Sequence, residues 1–136
     1  AAEVGRILRE WSRTPGWPDP PTEEVFRAAF ATVGVVHSAL EYYRWAIRSV
    51  PRPDGLRFAH RMRAPIGVPV LQVLGEHDPA MLPSSSAGSE RYVTGPYRRE
   101  LLPAGHFVHE EAPDAFGDLL LGWLRTTVHT AGSPSR

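Results

Sequence analysis

The sequence predicts an α/β protein in which a helical segment precedes a βαβα unit of parallel sheet, and three observations carry that reading. Up to about residue 64 the apolar side chains recur only at helical spacing, between breaks of Pro and Gly. A short β-branched run, Val70, Leu71, Val73 and Leu74, ends at Gly75, as a strand covered on both faces of a parallel sheet does. A second strand-like stretch over 97–102 stops at Pro103 and leads into a long apolar helix.

The elements follow in order. Val4, Ile7, Leu8 and Trp11 fall at i, i+3, i+4 and i+7, one stripe of a helix that must end before Pro15-Gly16-Trp17-Pro18. Thr22 is the expected cap of a second helix, with Glu23 and Glu24 in its positive first turn and Val25, Phe26, Ala29 and Phe30 on its apolar side. After Gly34, a third helix over 35–50 aligns Val36, Leu40, Tyr43, Ile47 and Val50 on one seam, until Pro51 and Pro53 stop it. A weaker helix spans 56–62. Beyond the first strand, the region 84–93 is expected to supply a crossover helix to the second. Pro113 suits the first position of a final helix whose apolar face is Phe116, Leu119, Leu120, Trp123 and Leu124. The organisation is therefore 1–64 helical, 65–130 sheet-bearing, and 131–136 a disordered tail.

Composition narrows the functional classes. With 136 residues, 42% hydrophobic and 22% charged, the chain is the size of one domain or a large piece of one, too rich in core formers to be disordered. Fifteen basic residues, all arginine, balance fifteen acidic ones, so no net field gathers nucleic acid or an anionic membrane. No apolar run approaches the ~20 residues of a membrane span. The absence of cysteine removes disulfides, thiolate catalysis and thiolate-bound metals. The opening Ala-Ala-Glu-Val-Gly-Arg has neither an initiator Met nor an apolar leader, which leads to the expectation that other residues precede it.

Chemistry concentrates after the two strands, where doubly wound sheets present functional groups beyond their carboxyl edges. Gly75-Glu76-His77-Asp78-Pro79 follows the first strand and Gly105-His106-Phe107 the second. Neighbouring parallel strands would bring Asp78 and His106 to the same edge, where a carboxylate fixes the imidazole tautomer and frees the far nitrogen as a base. The bland alternative is that Asp78 turns a loop with Pro79 and His106 is one of six histidines. His106 and His109, beside Glu110 and Glu111, match neither H-E-x-x-H nor H-x-x-E-H, so no metal and no cofactor is expected. Glu110, Glu111, Asp114 and Asp118 read as an acidic first turn and a solvated face.

Val-Pro-Val-Leu-Gln-Val-Leu-Gly-Glu-His-Asp (68–78) and Ala-Gly-His-Phe-Val-His-Glu-Glu-Ala-Pro (104–113) resemble the C-terminal part of the α/β-hydrolase superfamily. The preceding helices are similar to that family's cap or lid, and the likeness covers most of the chain. It implies a cap over 1–64, the C-terminal part of the hydrolase core over 65–130, Asp78 as triad acid and His106 as general base. The family's nucleophile sits on a Gly-x-Ser-x-Gly or Gly-x-Asp-x-Gly elbow, which occurs nowhere in these residues, and the oxyanion-hole loop is missing too. Ser84-Ser85-Ser86 follows the acid, where the family places no nucleophile.

Leu40-Glu41-Tyr42-Tyr43-Arg44-Trp45 resembles the cap helix of epoxide hydrolases, which implies that the Tyr43 phenol donates a hydrogen bond to the epoxide oxygen as charge develops. The expected function is thus epoxide hydrolysis to a diol through an alkyl-enzyme ester, with the nucleophile outside this chain and the isolated chain inactive. A serine esterase or lipase-like fragment, and a non-catalytic lid or interaction module, are the alternatives. The expected partners are a small apolar epoxide or ester and either an N-terminal half or a second copy of the chain, with no nucleic acid and no membrane span; cytoplasmic residence is the default.

Overall fold

The computed structural model describes residues 2–131, a mixture of helix and strand with a two-stranded parallel sheet. The chain divides into two compact units, one from residues 2–8 and 18–65, the other from 9–17 and 66–131.

The first unit contains the start of α1 (Ala2–Trp11), then α2 (Pro20–Ala31), α3 (Val35–Ser49) and α4 (Pro53–Arg61), with α3 packed against both α2 and α4. The cap of α2 is Asp19 and not Thr22. Pro20 and Pro21 lack an N–H and so fit the first turn, where that donor would have no partner, and the helix starts three residues earlier than a Thr22 cap requires. Asp19 Oδ1 accepts the Thr22 N–H at 2.9 Å, and hydrogen bonds from Thr22 hold the Asp19 carboxyl below its ordinary value. Gly34, at φ 87°, makes the turn into α3 in a conformation that a β-carbon disfavours. The seam of α3 is not a buried stripe: Val36, Leu40, Tyr43, Ile47 and Val50 are all exposed. Gly55 lets α4 approach α3 closely, since a β-carbon there would lie 1.9 Å from the Ser49 carbonyl oxygen.

In the second unit, β1 (Val70–Gly75) pairs in parallel with β2 (Tyr97–Leu102), in a register running from Val70 opposite Tyr97 to Gly75 opposite Leu102. A one-turn helix, α5 (Val108–Glu111), and a long one, α6 (Pro113–Ala131), complete it, and both touch β1. Only the end of β1 is buried, at Leu74 and Gly75; the rest is half-buried, so the expected cover on both faces is incomplete within this chain.

The crossover between the strands contains no α-helix. It forms two single 3₁₀ turns, Pro83–Ser86 and Ser89–Tyr92, separated by Gly88 at φ 80°. The serines cause this by bonding back to nearby carbonyls: Ser85 Oγ to Leu82 at 2.7 Å, Ser86 Oγ to Pro83 at 2.9 Å and Ser89 Oγ to Ser86 at 2.8 Å. Arg99 of β2 then fastens the first turn, donating to the Pro83 carbonyl at 2.7 Å and to Ser86 Oγ. Of the tail expected to be disordered, Ala131 ends α6 and 132–136 lie outside the described residues. Among the described residues no helix is long and apolar enough to cross a membrane.

Candidate active site

Because Gly75 and Leu102 are register partners, the loops that follow leave the sheet at the same edge. They are stitched by Glu76 N–H to the Leu102 carbonyl at 2.8 Å and His77 N–H to the Ala104 carbonyl at 3.0 Å. Glycine permits this contact: a β-carbon on Gly75 would lie 1.9 Å from the Gly105 carbonyl oxygen, and one on Gly105 would lie 2.5 Å from that of Trp11.

Asp78 and His106 meet across these loops, with Asp78 Oδ2 2.9 Å from His106 Nδ1. Asp78 is 5% exposed, and its other oxygen accepts the N–H groups of Ala80 at 2.8 Å and Met81 at 2.9 Å. The turn expected of Asp78-Pro79 and the contact with His106 are therefore both present, each served by a different carboxylate oxygen. A carboxylate accepts only, so the shared proton belongs to Nδ1 and the lone pair of Nε2 is left basic. The imidazole side chain is 31% exposed, open to a reactant on one side. Its backbone N–H donates to the Trp11 carbonyl at 2.9 Å, and the Trp11 and Phe107 rings meet it edge-on at 5.0 and 5.3 Å.

Tyr43 belongs to the helical unit. It is 64% exposed, its ring meets Tyr42 edge-on at 5.4 Å, and among the described residues its hydroxyl has no hydrogen-bond partner, so it is not a core residue tied to backbone. Ser85 and Ser86 spend their hydroxyls on the crossover turns. His109 is exposed beside Glu110, and among the described residues no group of three His, Cys, Asp or Glu is gathered that could hold a metal ion.

Glu111 departs from the solvated face expected of it. It ends α5, separated from α6 by Ala112, so it is not in the first turn of the long helix. Its side chain accepts from the N–H groups of Gly105 and Phe107 and from Ser12, Arg13 and Thr14. Partial burial opposes its charge, but the hydrogen bonds from Gly105, Arg13, Thr14 and Phe107 more than offset this and hold the carboxyl below its ordinary 4.5. The legible signal was the helix-breaking Ala112-Pro113 directly after it. Trp11 carried no such signal, since its i+7 position reads equally well as the end of an apolar stripe.

No protein-family model matches the chain, and no curated protein or solved structure matches it.

Proposed function

We propose that these residues carry the acid–base half of an α/β-hydrolase-type active site, and that the reaction is the opening of an epoxide to a vicinal diol. The observation that carries this reading is the buried Asp78 carboxylate, fixed by two backbone N–H groups and bonded to Nδ1 of an imidazole whose other nitrogen has no partner among the described residues. The sequence likeness at 68–78 and 104–113 supports the same assignment, and the helical half would then be its cap.

In the proposed cycle a carboxylate nucleophile from outside these residues attacks an epoxide carbon, forming an ester C–O bond and breaking the ring C–O bond. Tyr43 donates its proton to the departing oxygen, which is favourable because negative charge develops there as the ring opens. His106 Nε2 then takes a proton from water as the hydroxide equivalent attacks the ester carbonyl. The tetrahedral intermediate then collapses, breaking the ester C–O bond so that the diol leaves and the carboxylate is restored, and the proton gained by His106 returns through solvent to the Tyr43 oxygen. The exposed Tyr43 phenol supports its part in the first step.

The test is hydrolysis of a styrene-oxide-type substrate by the intact protein in ¹⁸O-labelled water. Diol formation, with His106→Ala trapping a covalent ester and Tyr43→Phe slowing ring opening, is the expected result. Turnover of a p-nitrophenyl ester but not of the epoxide, insensitive to Tyr43→Phe, would select the serine esterase reading. Binding without turnover of either would select the lid or interaction module.

A further inference from the structure

We propose that Glu111 is the positioning residue of the His106 base, acting through the peptide segments 11–14 and 105–107 and not by touching a reactant. Oε2 of Glu111 accepts Ser12 Oγ–H at 3.0 Å, Arg13 N–H at 3.1 Å, Thr14 N–H at 3.2 Å, Thr14 Oγ–H at 2.8 Å and Gly105 N–H at 2.9 Å, while Oε1 accepts Phe107 N–H at 3.0 Å. These donors come from two stretches of chain nearly a hundred residues apart, and both border the imidazole.

Gly105 and Phe107 are the residues on either side of His106, so one carboxylate holds the peptide that carries the base at both neighbours. Ser12, Arg13 and Thr14 directly follow Trp11, which accepts the His106 N–H and sets its indole edge-on to the ring. Glu111 thus fixes the loop beneath the imidazole and the segment beside it, while Asp78 fixes the ring nitrogen. An acceptor-only group suits this place, because all of these partners donate to it and four of the six donors are backbone N–H groups that cannot accept. An amide would turn its own N–H₂ toward either Phe107 N–H or the five donors around Oε2, and it would lose the charge that strengthens each bond. A general base must be held to a fraction of an ångström, and misplacement by 1 Å costs about 10²-fold in rate.

The kinetic consequence rests on the acid–base reading above; the geometric one does not, and the experiment separates them. The probe is the Nδ1 proton of His106, followed by NMR in the intact protein at a temperature where circular dichroism shows each variant folded. In Glu111→Gln this resonance is expected to broaden or vanish through faster exchange with water, and epoxide turnover to fall about 10²-fold with KM little changed. Thr14→Val, which removes one donor and keeps the carboxylate, is expected to move the same resonance in the same direction by less, and it serves if the Glu111 variants fail to fold. A resonance lost in a protein that turns over nothing would support the positioning role while sinking the hydrolase reading. A resonance unmoved in folded Glu111→Gln and in Thr14→Val would overturn the positioning role, whatever the enzyme hydrolyses.

Discussion

An aspartate paired with a histidine at an exposed surface contributes little, because water competes for both groups. Asp78 is buried, and each of its oxygens has a defined task, so its replacement separates structure from chemistry. Asp78→Ala leaves the Ala80 and Met81 N–H groups without their acceptor and is expected to destabilise by about 1–3 kcal/mol in denaturant unfolding. Asp78→Asn can keep those two bonds yet presents an amide to Nδ1, favouring the wrong tautomer, and turnover is expected to fall on the order of 10⁴-fold with little loss of stability. Equal losses of both in the two variants would argue for the plain loop-turning role. Glu111 gives a pH signature. Its folded carboxyl titrates below 4.5, so between that lowered value and 4.5 the unfolded chain binds more protons and stability rises with pH. The Glu111 contribution is fully present above about pH 4.5 and is lost as pH falls through the depressed value; Glu111→Gln is expected to flatten that acid limb in urea titrations from pH 5 downward.

At the scale of elements, glycine decides where chains can touch. Gly75→Ala would drive a β-carbon to 1.9 Å of the Gly105 carbonyl oxygen, backbone against backbone, and is expected to cost on the order of 3 kcal/mol and to disturb the His106 loop. Gly117→Ala in α6 meets nothing within 4 Å and is expected to stabilise by about 0.5–1 kcal/mol through helix propensity. The opposite signs are checked by thermal unfolding of the two variants. Both strands, their parallel pairing and the meeting of Asp78 with His106 were legible in sequence because they depend on short-range signals: β-branched runs, a terminal Gly, and the side of a sheet from which loops leave. What escaped depends on competition between local bonds. At Asp19-Pro20-Pro21 two prolines displaced the Thr22 cap, so Asp19→Ala is expected to lower the melting temperature more than Thr22→Ala. In 84–93 serine hydroxyls won the carbonyls that an α-helix would have used. For Glu111 the helix break at Ala112-Pro113 was legible but the hub was not, because its partners in 12–14 are remote in sequence and no periodicity encodes such a contact.

For the molecule as a whole the decisive quantity is how little apolar surface the described residues bury among themselves. Their buried hydrophobic side chains are Leu8, Leu74, Ala104 and Val108, while α3 alone leaves Val36, Leu40, Tyr43 and Ile47 in solvent. A domain of this length normally buries roughly two-thirds of the surface of its unfolded chain, and contiguous exposed apolar faces mark interfaces. The sheet makes the same demand in its own unit, since a two-stranded parallel pair has an open edge on each strand and parallel strands are stable when covered on both faces. The 136 residues produced alone are therefore expected to associate, with a weight-average mass that rises with concentration in sedimentation equilibrium and with binding of a hydrophobic dye. Ile47→Glu, at a position 75% exposed where a carboxylate costs the monomer little, is expected to weaken that association if the α3 face carries it, and to leave it intact if the sheet edges do. A chain that stays monomeric at high concentration, binds no dye and unfolds cooperatively would refute the need for a covering partner, because those properties require the apolar face of α3 to be already satisfied.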